Sequence, residues 1–200
     1  MVAVDQAEQV IHALAAAMEA RDPFTEAHTQ RVAQFARRIG QCMGLSPADQ
    51  SALYRGGIVH DIGKIGIPDE VLLKPGELDF EERTMIHLHP IIGEQIAAPL
   101  EAAAELLPII RHHHERYDGT GYPDRLAGDQ IPLLARILSA CDAYDALTSD
   151  RPYRMRLSTP EALAVLLRGA GEQWDPSVVR LIIYEIEHPD VDLELMLDAS

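Results

Sequence analysis

Cysteine is nearly missing from this chain: only Cys42 and Cys141 occur among its 200 residues, with no Cys-x-x-Cys spacing. That excludes a disulfide framework and a thiolate zinc site, and it predicts a reducing, cytoplasmic setting. No basic segment followed by an apolar one opens the chain, and the longest apolar stretches are broken by Glu101, Glu105 or Arg168. Such runs fall well short of a bilayer span, so no membrane partner is expected. Basic charge is scarce, with 17 Lys and Arg against 32 Asp and Glu and a formal net charge of -15. A nucleic-acid polymer is thereby excluded as a general partner, because a protein that tracks phosphates needs a basic face to release counterions. An anionic small molecule is not excluded. Divalent ions with Lys64, Arg151 and Arg154 act at short range inside a cleft, whereas charge beyond roughly 8 Å is screened.

The alternation suited to strands is also almost absent, while apolar residues recur at three and four positions nearly everywhere. The expectation is one all-α domain, a helical bundle with a loop-rich wall around its site. A chain of this size can bury roughly 70% of its unfolded surface without disulfides. Val4, Ala7, Ile11, Leu14 and Met18 form one stripe of a first helix that Arg21-Asp22-Pro23 ends. That stripe packs on its own domain or, as two heptads of coiled coil, pairs protomers into a homodimer or relays a signal. A second helix starts near Thr25, and Ser46-Pro47-Ala48-Asp49 opens a third that runs into His60-Asp61. Gly63, Gly66, Pro68 and Pro75-Gly76 break the next stretch into turns, and Asp79-x-x-Glu82 has the form of a capping box. Further helices are predicted over 102–117, 133–148, 160–169 and 176–187. Asp118 to Pro123 must be loop, because two glycines and a proline in six residues defeat a helix. Trp174 reads as a core or cap anchor.

The chemistry concentrates in His112-His113-His114-Glu115, read together with His60-Asp61. Consecutive histidines beside a carboxylate are poor core material, since each buried imidazole needs a polar partner, and metal ligation explains them better. Imidazole suits first-row transition ions, and a carboxylate can bridge two of them about 3.5–4 Å apart. Neighbouring helical residues diverge by about 100°, so two of the three histidines converge and one points elsewhere. A metal-dependent hydrolase follows.

His60-Asp61-Ile62-Gly63-Lys64, followed by His113-His114-Glu115-x-x-Asp118-Gly119-x-Gly121-Tyr122-Pro123, resembles the HD-GYP subgroup of the HD metal phosphohydrolases. Arg21 to Thr25 with His28, Lys74-Pro75-Gly76, His89-Pro90 with Gly93, and Asp142 through Arg154 match its pattern in order, over residues 20–185. The apolar stripe sets residues 1–20 apart as an N-terminal helix that could serve dimerisation or signalling, and the resemblance implies residues 21–200 as the phosphohydrolase domain. It implies hydrolysis of cyclic di-GMP to pGpG and, in some members, GMP, by attack of a hydroxide bridging two divalent ions. The implied metal ligands are His28, His60, Asp61, His89, His113, His114 and Asp142, with Asp61 as the bridge. Members with a third metal carry a glutamate four residues before the first histidine; Phe24 stands there, which favours two metals.

In the same resemblance Lys64 meets the phosphate or leaving oxygen, Arg151 and Arg154 hold the second phosphate, and Tyr122 contacts the substrate. Asp22 and Asp118 would orient ligands or fix loops, while His12, His87, His112 and His188 are assigned no ligand role. Iron or manganese is expected, with zinc, nickel and cobalt admitted by the same ligands. Family members usually follow a receiver or sensor domain, and contact with diguanylate cyclase (GGDEF) domains through the Gly-Tyr-Pro loop is allowed. Two other functions remain open: hydrolysis of another cyclic dinucleotide or a guanosine polyphosphate, and a non-catalytic cyclic dinucleotide receptor.

Overall fold

The structure, a computed structural model, describes residues 2–19, 21, 26–150 and 155–188. Its helices are α1 (Val2–Glu19), α2 (Glu26–Cys42), α3 (Pro47–Val59), α4 (Asp69–Leu72), α5 (Phe80–Ile86), α6 (His89–Ala97), α7 (Leu107–His112), α8 (Leu133–Thr148), α9 (Thr159–Gly169) and α10 (Pro176–Glu187). Short 3-10 turns lie at Ile62–Gly66, Glu101–Ala103 and Gly128–Gln130. Among the described residues there is no strand, only a single bridge between Ala170 and Trp174. The all-α expectation holds.

Local chemistry accounts for most boundaries. Ser46 accepts the Asp49 amide at 3.1 Å and Pro47 begins α3. Asp79 accepts the Glu82 amide while Glu82 reaches back to the Asp79 amide, both at 2.9 Å, so the capping box at α5 is real. The helix expected over 102–117 is the correction. Pro108 sits in the first turn of α7, and a proline there both lacks an amide proton and disfavours helix before it. Only six residues, Leu107–His112, remain helical.

Helix α2 packs across α3 and α8, with α10 against α2, α8 and α9, and α6 lies on α7 and on the turn at 62–66. The core between them holds Val32, Ile39, Leu53, Ile110, Leu138 and Leu166, all fully buried. Of the α1 stripe, Ile11 and Met18 belong to the same core and Leu14 packs against it, so these residues are buried against the chain's own fold. Trp174 is buried as expected. The bundle leaves one polar cluster at the ends of α3, α5 and α7, beside α2 and α8.

Candidate metal centre

Three of the buried histidines are placed by one local device. His60, His89 and His113 each follow a helix end, and each turns its Nδ1 onto the carbonyl three residues back: Gly57 at 2.8 Å, Ile86 at 2.7 Å and Ile110 at 2.8 Å. Carbonyls in a last helical turn lack their usual amide partner, so the ring supplies it. For Ile86 the reason is specific, since the amide due to it would belong to residue 90, which is proline. A carbonyl oxygen only accepts, so each Nδ1 carries the ring proton and each Nε2 presents a lone pair.

Those lone pairs converge. His89 Nε2 and His113 Nε2 are 3.3 Å apart, and Asp61 Oδ1 lies 3.2 Å and 3.8 Å from them. His60 Nε2 is 3.5 Å from Asp61 Oδ2. The His60 Nε2 and Asp61 Oδ1 atoms are buried and make no hydrogen bond. The ligand atoms fall into two groups with metal-binding spacing, Asp61 with His89, His113 and His114, and His28 with His60 and Asp142. Asp61 presents one oxygen to each group. Buried nitrogen and oxygen lone pairs that meet without a proton fit divalent transition ions, the group the motif implies.

The electrostatics agree. Burial first, then the nearby His113 and His28, pulls His60 down to about 4 against the pull of Asp61, so the ring stays neutral. Burial with His113 and His89 holds His114 well below the usual histidine range. Burial alone would raise Asp61, but Lys64 and His60 outweigh it and hold the carboxyl well below normal. Lys64 Nζ sits 2.5 Å from Asp61 Oδ2. The turn bearing Lys64 is clamped by Arg21, whose guanidinium donates to the carbonyls of Lys64, Ile65 and Ile67 and pairs with Asp69. Gly63 lets the same turn lie on α6: a Cβ there would stand 1.8 Å from the His89 carbonyl oxygen and 2.5 Å from the Gly93 nitrogen.

His28 is oriented differently. Its Nε2 is 3.1 Å from Asp142 Oδ1 and its Nδ1 is 2.7 Å from Asp145 Oδ2. Burial opposes charge on this ring, yet the two carboxylates lift it to about 9. Asp145 is buried, and sequence reasoning passed over it. The signal was there, because Asp145 lies one turn after Asp142 on the same face of α8.

The 113–126 segment closes the site. Buried Glu115 accepts the amides of Asp124 at 2.7 Å and Leu126 at 3.2 Å, and Asp118 accepts the Thr120 amide at 2.9 Å. Asp118 thus fixes the loop. Gly121 is required by contact, since a Cβ would come within 2.3 Å of the Arg116 nitrogen. Tyr122 stacks between His87, at 3.9 Å and 14°, and His114, at 4.9 Å and 27°. His112 is the histidine that points elsewhere, toward Glu115 and Asp124, where Arg111 already holds Asp124. His12 and His188 are exposed and apart. Asp22, Phe24, Arg151 and Arg154 lie outside the described residues.

Compared with known families, residues 12–178 match the model described as HD domain. The chain belongs to the HD domain family. A curated relative of this HD chain, named cyclic di-GMP phosphodiesterase from Vibrio cholerae, is 39% identical over 188 residues, which cover 86% of the chain and 38% of the relative. Another, named 3'3'-cGAMP-specific phosphodiesterase 3 from the same organism, is 37% identical over 169 residues, covering 84% and 37%. The chain therefore spans less than half the length of these relatives. A crystal structure of a cyclic GMP-AMP specific phosphodiesterase from V. cholerae superimposes with a TM-score of 0.69 at 20% identity, over 90% of this chain and 48% of that one. The superposition shows that the chain has the same fold as that protein.

Proposed function

We propose that this HD domain is a metal-dependent phosphodiesterase that opens cyclic di-GMP to pGpG. The observation that carries the reading is the buried convergence of the His60, His89 and His113 Nε2 atoms on the carboxylate of Asp61. His28, His60, Asp61, His89, His113, His114 and Asp142 would hold two divalent ions, iron or manganese, with Asp61 offering an oxygen to each group of ligands. When bound, such ions make water nucleophilic near neutral pH and offset charge on the phosphate oxygens.

The chain's own residues do the rest. Helix-end carbonyls fix which ring nitrogen faces the cluster and how each imidazole is turned, so ligand geometry is set before any ion arrives. Lys64, held at Asp61, is positioned to meet the phosphate or to protonate the leaving oxygen. Tyr122 faces the same cluster, and Arg151 with Arg154 take the distal phosphate, for which a guanidinium fork is suited. The Gly-Tyr-Pro and Arg-Pro-Tyr-Arg segments support the HD-GYP assignment. No described helix is long and apolar enough to cross a membrane, and the free Cys42 and Cys141 fit a reducing cytoplasm.

A second reading, hydrolysis of 3'3'-cGAMP, is favoured by the relative of that name. Incubation of metal-loaded protein with cyclic di-GMP and with 3'3'-cGAMP, resolved by chromatography, decides between them. Release of pGpG that stops in His113→Ala supports the first. Absence of turnover of either, with iron and with manganese under reducing conditions, rejects both.

A further inference from the structure

We infer that Asp145 is a positioning residue for one half of the metal centre, so that weakening it empties the His28 side while the His89 side keeps its ion. The inference rests on the two-ion reading above. It starts from a difference among the histidines. His60, His89 and His113 give Nδ1–H to neutral peptide oxygens. His28 gives it to a buried carboxylate, Asp145 Oδ2, at 2.7 Å.

That carboxylate is itself fixed. Arg31 donates Nε to Oδ1 at 2.5 Å and Nη2 to Oδ2 at 2.9 Å, and the Ser149 hydroxyl reaches Oδ2 at 3.2 Å. His28 and Arg31 are one turn apart on α2, and Asp142 and Asp145 are one turn apart on α8. Two facing helices thus form a small ladder in which His28 touches both acids and Arg31 locks the outer one. His28 lies in the first turn of α2 rather than after a helix end, and among the described residues its Nδ1 meets Asp145, which takes the carbonyl's role with charge. A carboxylate behind an imidazole raises its basicity and fixes its tilt, and loss of such a partner typically weakens metal affinity by about 10–100-fold.

The half-site at Asp61, His89, His113 and His114 has no such support behind His89 or His113. Loss of Asp145 therefore acts on one ion rather than on the pair. Asp145→Asn preserves the shape and removes the charge, which separates electrostatics from packing.

The test uses the whole chain and Mn2+ alone. Wild type, Asp145→Asn, Asp145→Glu and His89→Gln are dialysed against graded free Mn2+, and bound metal per chain is measured by elemental analysis. Asp145→Asn is expected to lose one ion at about 10–100-fold higher free Mn2+ than wild type while keeping the other. Asp145→Glu restores part of the loss, and His89→Gln empties the complementary half. Retention of that second ion also certifies the variant's fold. Unchanged binding of both ions in Asp145→Asn, or their joint loss with the helical signal intact, overturns the role of Asp145. A wild type that binds no Mn2+ overturns it together with the metal reading, whereas a two-ion protein inert toward cyclic dinucleotides leaves it standing and removes only the proposed substrate.

Discussion

His89 Nε2 and His113 Nε2 face each other at 3.3 Å although each ring has already committed its proton to a carbonyl on the opposite side. A shared proton would need one ring to become a cation, and burial holds His89 below the usual histidine range. With Asp61 Oδ1 beside them, the stable solution is a bound cation. A ligand selective for the folded state stabilises it by about 2.7 kcal/mol at a hundred times its dissociation constant. Thermal unfolding of wild type with Mn2+ in excess over a chelated control is expected to shift upward by several degrees. In His113→Ala the shift should shrink by more than half, and equal shifts in the two proteins would refute a cation at this point.

Tyr122 is already stacked on His87 and on His114, so its ring is engaged within the fold and stacking is not what it is expected to offer a substrate base. What it offers is the hydroxyl, whose ionisation is pushed up by burial and by the charges of Asp61 and Asp142. The group is a neutral donor at any working pH. Removing a hydrogen bond to a charged partner costs about 1.5–3 kcal/mol, or roughly 10–100-fold in rate. Tyr122→Phe is expected to show that loss in kcat with Mn2+ retention unchanged. Tyr122→Ala should also loosen His114 and lower metal retention, and a Phe variant as active as wild type would leave the tyrosine a purely structural role.

Gly63 and Gly66 sit in one turn and predict different outcomes. A Cβ on Gly63 meets backbone, the His89 carbonyl oxygen at 1.8 Å, whereas on Gly66 it meets the Ile92 side chain at 2.9 Å. Side chains rotate away and packed backbone does not. Overpacking of this kind costs about 1–3 kcal/mol. Gly63→Ala should lie at or above the top of that range in urea unfolding, Gly66→Ala near the bottom, and Gly63→Ala should also reduce Mn2+ binding, since His89 would be displaced. Comparable small effects in both variants would contradict the close approach.

The bundle was readable because its helix starts and stops are local: Ser46-Pro47, Asp79 with Glu82, and Leu133–Thr148 all stand where the residues put them. The helix over 102–117 misled because its apolar spacing continues through Pro108 and through His113, whose side chain takes the carbonyl that the next helical amide would need. For the centre, the residue types and their order named the candidate ligands, and the fold gathers those seven. Supporting residues were harder to see. Arg21, Glu115 and Asp145 act through contacts 9–117 positions away in sequence, and spacing along one helix carries no record of such partners.

Asp175 gives a pH test remote from the metal centre. It caps α10 by accepting the Ser177 amide at 2.7 Å, and its Oδ2 receives Arg136 Nη1 at 2.7 Å in a buried setting. Burial alone would raise its pKa, but the Ser177 bonds and Arg136 outweigh it, so the folded value lies below the usual carboxylate range. A depressed folded pKa contributes stability that is fully present above the unfolded value, near 3.9, and lost as pH falls through the folded value. Loss of an N-cap costs about 1 kcal/mol, and loss of one of the two carboxylate partners of the half-buried Arg136, which keeps Asp129, adds to it. Asp175→Ala is therefore expected to be less stable than wild type by about 1–3 kcal/mol at pH 7 in urea unfolding. The difference should narrow as pH falls below about 4, because protonation then removes in wild type what the substitution removed in the variant. Asp175→Asn keeps a good cap and lacks only the charge, so it should fall between the two at neutral pH and converge on wild type in acid. A gap between wild type and Asp175→Ala that stays constant from pH 7 down to pH 3 would assign the whole effect to packing and none to the carboxylate's charge.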